Sequence, residues 1–262
     1  MQLTLALAQC AHREDGDALA LVADWAARAA QRGVQLLVFP ECLMTPFEKE
    51  PAEFAASAQP ADGPFARGVA AIAAQHGLWV AFTMNEADPA GGRPFNSALV
   101  VDAGGQVRLH YRKVHLFDAG SYRESAKMQA GPKIAQPIET PWGKLGMGVC
   151  YDLRFCEFAR VQALAGCELL VYPAAWVAGP RKVEQWRTLL SARAVENGMF
   201  VAGLSRCGGV YAAHSAVYAP DGRALALAGD GEELLVATLD LDEVAQARAA
   251  VPVLQHRRPE LY

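Results

Sequence analysis

Cys150 stands where an apolar run, Lys144-Leu-Gly-Met-Gly-Val149, breaks into Cys-Tyr-Asp-Leu-Arg-Phe155. The run has the length and composition of a strand, and Gly146 and Gly148 leave room for other backbone to approach. The stretch after it, up to Ala165, carries helical spacing and stops at Gly166. A cysteine at such a junction lies near unpaired backbone N–H groups, which favour negative charge. The placement predicts a lowered thiol pKa with donors close by for an oxyanion, which is what nucleophilic acyl transfer requires.

That chemistry also needs a base for the thiol proton and a cation near the reacting carbonyl. Strand ends are where to look, because strands deliver side chains rigidly while the following loops open to solvent. Glu41 follows an apolar strand through Pro40, and a carboxylate buried there requires a partner. Lys113 closes the run that ends at Tyr111, and Glu124 lies in the loop between Lys113 and Cys150. Residue types alone leave plainer readings open. Cys150 also fits as a small buried hydrophobe, Glu41 and Lys113 as a core ion pair, and Glu124 as a solvated loop residue. No serine sits in GxSxG. The six histidines (His12, His76, His110, His115, His214, His256) fall on turns or strand edges without metal-ligand spacing. Neither a Cys–His pair, a metal site nor a bound cofactor is expected.

The elements that must hold these residues alternate along the chain. Strands are expected at residues 3–8, 34–39, 78–84, 97–102, 106–111, 144–149, 168–172 and 199–204, then at 211–219, 224–228 and 233–239. Helices are expected at 17–32, 64–76, 182–197 and 243–250, besides the one that follows Cys150, with an irregular tail over 251–262. With 262 residues, 52% of them hydrophobic, the chain can bury a large core, and it reads as one α/β domain over 1–262. A net charge of -4 with dispersed Lys and Arg offers no nucleic-acid face and no anionic-membrane face. Six cysteines without CxxC spacing read as reduced thiols in the cytoplasm. No apolar stretch is long enough for a membrane span, and the N-terminal residues look like a strand rather than a signal peptide.

Taken in order, Phe39-Pro-Glu-Cys-Leu43, Tyr111-Arg-Lys-Val-His-Leu-Phe117, Arg123-Glu-Ser125 and Gly148-Val-Cys-Tyr-Asp-Leu-Arg-Phe155 resemble the signature blocks of the nitrilase superfamily. Tyr172-Pro-Ala-Ala-Trp176, Leu189-Leu-Ser-Ala-Arg-Ala-Val-Glu-Asn197, Tyr218-Ala-Pro-Asp-Gly222 and the final Gln255-His-Arg-Arg-Pro-Glu-Leu-Tyr262 extend the resemblance over nearly the whole chain. The resemblance implies a four-layer αββα sandwich and a carbon–nitrogen hydrolase with a Glu-Lys-Cys triad. Glu41 would be the base, Cys150 the nucleophile and Glu124 the supporting carboxylate. Lys113 and the backbone N–H of Tyr151 would hold the oxyanion. Phe47 and Trp176 would wall the pocket. It also implies pairing into a homodimer or larger homo-oligomer, with the tail over 251–262 packing on a partner subunit.

Cys-Tyr-Asp after the apolar run is similar to the ω-amidase and deaminated-glutathione-amidase branches, whereas nitrile-cleaving members typically carry Cys-Trp-Glu. The expected reaction is hydrolysis of a small carboxamide through a Cys150 thioester, with the monoamide of a short dicarboxylate such as 2-oxoglutaramate as a candidate substrate. A nitrilase or N-carbamoyl amidohydrolase on the same triad, and a non-catalytic scaffold, are the alternatives. Arg123, Arg154, Arg181, Lys182 and Arg206 all qualify as readers of a substrate carboxylate. Asp152 and Arg154 read as an internal salt bridge or helix-start pair, and Cys42 and Cys156 as packing residues. Cys156 stands where relatives often have proline, Gln185 where histidine is common, and the loop over 118–121 is short.

Overall fold

The computed structural model describes residues 1–13 and 16–261. Its first half runs β1 (Gln2–Gln9), α1 (Ala18–Ala30), β2 (Leu36–Val38), α2 (Pro51–Ser57), α3 (Pro64–His76), β3 (Trp79–Glu86), β4 (Phe95–Val101) and β5 (Val107–Arg112). A ribbon of β6 (Asp118–Ala119) and β7 (Tyr122–Arg123) leads to β8 (Ile138–Thr140) and β9 (Gly143–Met147). Then follow α4 (Cys156–Leu164), β10 (Leu169–Ala174), α5 (Lys182–Asn197), β11 (Phe200–Ser205), β12 (Ala216–Tyr218), β13 (Ala224–Leu227), β14 (Glu233–Asp240) and α6 (Asp242–Ala250).

Among the described residues the strands form two six-stranded sheets, ordered β14-β1-β2-β3-β4-β5 and β8-β9-β10-β11-β12-β13, besides the β6–β7 ribbon. Each sheet has the same internal pattern: one antiparallel pair, two parallel pairs, then two antiparallel pairs. Strand period two decides what each face meets. Leu3, Leu5 and Leu7 of β1 point into a core shared with Leu145 and Met147 of β9, while Ala6 and Ala8 point outward to α1 and α3. In β3, Ala81 faces the shared core and Val80 and Phe82 the helices; in β4, Val100 and Leu99 divide the same way. On the far side, Trp186, Leu190 and Ala194 of α5 and Phe158 of α4 cover the second sheet. The result is the four-layer αββα sandwich that the motifs imply.

Local chemistry sets the helix ends. Asp17 caps α1 by accepting from the Ala20 N–H, and Gly77 closes α3 in the left-handed region. α2 is an element the sequence reading lacked, although Pro51 at its first turn and the reciprocal Glu50–Glu53 capping box signal it. The helix expected straight after β9 is also revised. Cys150–Arg154 forms a 3-10 turn, and the α-helix starts only at Cys156. The end of the tail motif, Tyr262, lies outside the described residues.

Candidate active site

The residues singled out for chemistry converge at the carboxyl ends of strands, where open α/β sheets place ligands. Glu41 follows β2, Lys113 follows β5, Cys150 follows β9 and Ala175 follows β10. Glu124 arrives by another route. The β6–β7 ribbon folds the chain back, the Phe117 N–H donates to Glu124 Oε2 at 2.7 Å, and the Glu124 N–H returns to the Phe117 carbonyl at 3.2 Å. The short loop therefore delivers the carboxylate by closing on itself.

Lys113 sits between two carboxylates. Its Nζ donates to Glu41 Oε1 at 2.9 Å and to Glu124 Oε1 and Oε2 at 3.0 and 2.8 Å. All three side chains are buried. Asn96, a lone amide inside β4, ties the acids together by donating to Glu41 Oε1 at 2.8 Å and Glu124 Oε1 at 3.1 Å. The Ala175 N–H donates to Glu41 Oε2 at 2.8 Å. Every one of these partners of Glu41 is a donor, which satisfies an ionised carboxylate and leaves a protonated one out of place. Sequence reasoning missed Asn96 and Ala175, since an amide side chain near the start of a mostly apolar strand and a backbone amide carry no spacing signal.

Protonation states follow from this packing. For Glu41, burial opposes the charge, but Lys113 and the hydrogen bonds outweigh it, so the carboxyl is held below the usual carboxylate range. For Lys113, burial favours the neutral amine, yet Glu124, Glu41 and the Cys150 charge more than reverse this and hold the ammonium. Cys150 corrects an expectation. Burial, then the negative Glu41, push its thiol well above the ordinary value, and Lys113 only partly offsets them. With the α-helix starting six residues later, burial beside two carboxylates decides the thiol's acidity, so it rests protonated. Cys150 also holds a left-handed backbone, φ +47°, in which non-glycine residues are strained.

A cavity opens over these groups. Phe47, Phe117, Tyr151 and Trp176 supply aromatic wall, and Arg154 and Lys182 complete it. Phe47 is pinned by its N–H to Tyr211 Oη at 3.0 Å and by its carbonyl to Lys127 Nζ at 2.6 Å. Asp152 and Arg154 form no pair. The buried Asp152 carboxylate accepts from Tyr111 Oη, the Val149 N–H and His115 Nδ1, each at 2.8 Å, and so clamps the turn that carries Cys150. Of the other basic candidates, Arg206 is buried away from the cavity, its guanidinium donating to the carbonyls of Glu41, Cys42 and Cys10 at 3.3 to 3.4 Å. Arg123 binds loop carbonyls and Arg181 pairs with Glu184 in the open. Cys42 is packed as expected, whereas Cys156 is exposed. Among the described residues no group of three or more His, Cys, Asp or Glu side chains is placed to hold a metal ion.

A family model described as carbon-nitrogen hydrolase matches residues 4–249. The chain belongs to the carbon–nitrogen hydrolase family. It is similar to a deaminated glutathione amidase from Escherichia coli O157:H7, 36% identical over 232 residues that cover 88% of each chain. It is similar to omega-amidase NIT2 of Xenopus tropicalis, 32% identical over 247 residues, covering 89% of this chain and 87% of that one. A carbon–nitrogen hydrolase from Helicobacter pylori G27 superposes with a TM-score of 0.94 at 26% identity, covering 100% of this chain and 97% of the other. The nitrilase-superfamily resemblance, the sandwich and the expected hydrolysis of non-peptide carbon–nitrogen bonds all stand, and the scaffold alternative falls with them. Among the described residues, no helix of this carbon–nitrogen hydrolase is long and apolar enough to cross a membrane.

Proposed function

We propose that the protein hydrolyses the amide of a small carboxylic acid through a thioester on Cys150. One observation carries the assignment: Cys150 shares one cavity with Glu41, a buried carboxylate to which Lys113, Asn96 and the Ala175 N–H all donate. The proton has one acceptor placed for it. Glu41 takes the proton as Sγ attacks the amide carbon, so charge moves from the carboxylate to the carbonyl oxygen. The Lys113 ammonium and the Tyr151 N–H, at the open start of the 3-10 turn, hold that oxyanion, one such donor being worth about 3 kcal/mol of barrier. Glu41 then returns the proton to the leaving nitrogen, which departs as ammonia or an amine. Water, deprotonated by Glu41, cleaves the thioester and releases the acid, restoring the thiol. Glu124 and Asn96 hold Lys113 and Glu41 in register throughout.

The amidase names of the relatives and Cys-Tyr-Asp after β9 support amides over nitriles as substrates. Ammonia release from a panel of small amides and one aliphatic nitrile tests this, with wild type beside Cys150→Ala. Amide turnover that disappears in the variant is expected; turnover of the nitrile alone overturns the reading.

The same proposal takes residues 1–262 as one domain working in the cytoplasm as a homodimer or larger homo-oligomer. Val161 and Leu164 of α4 lie exposed beside Val251 and Val253 of the C-terminal segment, which supports pairing through this face and the tail. Light scattering that returns a monomer mass would refute the assembly.

A further inference from the structure

Arg206 follows β11 and is wholly buried, yet it does not line the cavity. Its guanidinium donates to three main-chain carbonyls: Nε to Glu41 at 3.3 Å, Nη2 to Cys42 at 3.3 Å and Nη1 to Cys10 at 3.4 Å. Among the described residues no carboxylate pairs with it. A cation kept out of water without an anion is costly, so the carbonyls it holds are where its role lies. Two of them flank a strained residue. Cys42 has φ +57°, a left-handed backbone that a side chain resists. Arg206 bonds the peptide unit on each side of that bend, which comes directly after Glu41.

The main chain of Arg206 reaches the same glutamate by a second route. Its N–H donates to the Ala174 carbonyl at 2.9 Å. The N–H of that same peptide unit, carried by Ala175, donates to Glu41 Oε2 at 2.8 Å. Hydrogen bonds linked in series through one peptide polarise one another. Glu41 is thus held at both ends from residue 206: its backbone carbonyl by the guanidinium, its carboxylate through the peptide that closes β10. A lysine would keep the charge there, but a point donor cannot span three carbonyls as a planar fork does.

We propose that Arg206 is a positioning residue for the hydrolysis, holding the backbone of Glu41 so that its carboxylate stays on its donors and beside the Cys150 thiol. It acts without meeting the substrate. The inference rests on Glu41 serving as the base for Cys150, as argued above, and the test separates the two.

Arg206→Lys keeps the charge and gives up the fork, while Arg206→Gln gives up the charge and keeps an amide donor. Each would be compared with wild type on the amide of the panel above that wild type hydrolyses fastest. In both, kcat should fall roughly 10- to 100-fold while KM stays within about threefold, as a displaced base predicts. The acid limb of kcat/KM should move to higher pH, because Glu41 leaves the donors that favour its charge. In Arg206→Lys the pH midpoint of Cys150 alkylation by iodoacetamide should fall as the carboxylate withdraws from the thiol. Variants that melt earlier yet keep wild-type kcat and midpoints would make Arg206 structural only and overturn the proposal. A loss confined to KM, a lower kcat with both midpoints unmoved, or a fold lost in both variants would overturn it too. If wild type hydrolyses no amide, or Cys150→Ala stays active, the amidohydrolase reading fails by itself. The alkylation midpoint needs no substrate and still decides whether Arg206 holds Glu41 beside the thiol.

Discussion

Replacing Glu41 by Gln should make the Cys150 thiol more acidic and the enzyme slower. Glu41 is the second-largest cause of the raised thiol pKa, after burial. The amide removes that like charge, which disfavours the thiolate, while Lys113 and its pull on the thiolate remain. Hydrolysis loses its base, a change of about 10²- to 10⁴-fold in kcat/KM. Gln is also a poor substitute structurally. Glu41 accepts from Lys113 and Asn96 on one oxygen and from Ala175 on the other. A side-chain amide turns one of those oxygens into a donor and leaves a buried donor unpaired, costing about 1 to 3 kcal/mol of stability. The assay is the pH dependence of Cys150 alkylation by iodoacetamide, followed by peptide mass, beside amide turnover and a thermal melt. The alkylation midpoint should move to lower pH as turnover collapses. If the midpoint stays or rises, Glu41 does not burden the thiol; if turnover survives, Glu41 is not the base.

Other perturbations have outcomes that follow from the same geometry. With Glu41 held below the usual carboxylate range and the thiol above its own, wild-type kcat/KM should stay flat through neutral pH, falling in acid as Glu41 gains a proton and in alkali as the thiol loses the one it passes on. A rate rising through neutrality would contradict this. Asn96→Ala should lower stability by about 1 kcal/mol and reduce kcat more than it raises KM, because the two acids lose their shared tie while Lys113 remains; steady-state kinetics with a urea titration reads both. A Cβ at Gly148 would meet Tyr172 Cε1 at 2.6 Å and Phe158 Cε1 at 2.8 Å, so Gly148→Ala should cost roughly 1 to 3 kcal/mol in a thermal melt. Glu86 has its pKa lowered from 4.5 to about 2: burial opposes its charge, and His110, Arg112 and Ser97 outweigh burial. Since the folded value is the depressed one, this stabilisation is present above pH 4.5 and lost as pH falls toward 2. Glu86→Gln should therefore lose about 3 kcal/mol at neutral pH and little in strong acid, measured by urea midpoints across pH.

The residues that sequence reasoning found were those whose position contradicted their surroundings. A glutamate after Pro40, a lysine closing an alternating strand and a cysteine breaking an apolar run each stood at a strand end, and the structure brings all three together. What it could not supply was anything decided by distance rather than order. Asn96 looks like an interruption of β4 until two acids from elsewhere arrive at its amide. Arg206 resembles any arginine after a strand, yet three carbonyls from two distant segments enclose it. The thiol's acidity was misjudged because a helix N-terminus is a local signal, whereas burial beside two carboxylates is a property of the assembled site. Among the elements, the short α2 and the 3-10 turn at Cys150–Arg154 were lost because few residues leave too little periodicity to read.

The seam between the two sheets has a kinetic consequence. Asn96 lies in the first sheet, and Glu41 and Lys113 follow its strands; Cys150, Ala175 and Trp176 follow strands of the second. The bond from Ala175 to Glu41 joins residues 134 apart, and those from Arg206 to Glu41 and Cys42 span 165 and 164. The second sheet can zip up from nearer neighbours, while the first also pairs β1 with β14 across most of the chain, and the constellation comes into being only when the two faces dock. Closing loops of that length belongs to the slow end of folding. On refolding from denaturant, catalysis should return after the recovery of helical signal, in step with burial of the shared core. The step that brings the two sheets together is thus also the one that switches the protein on.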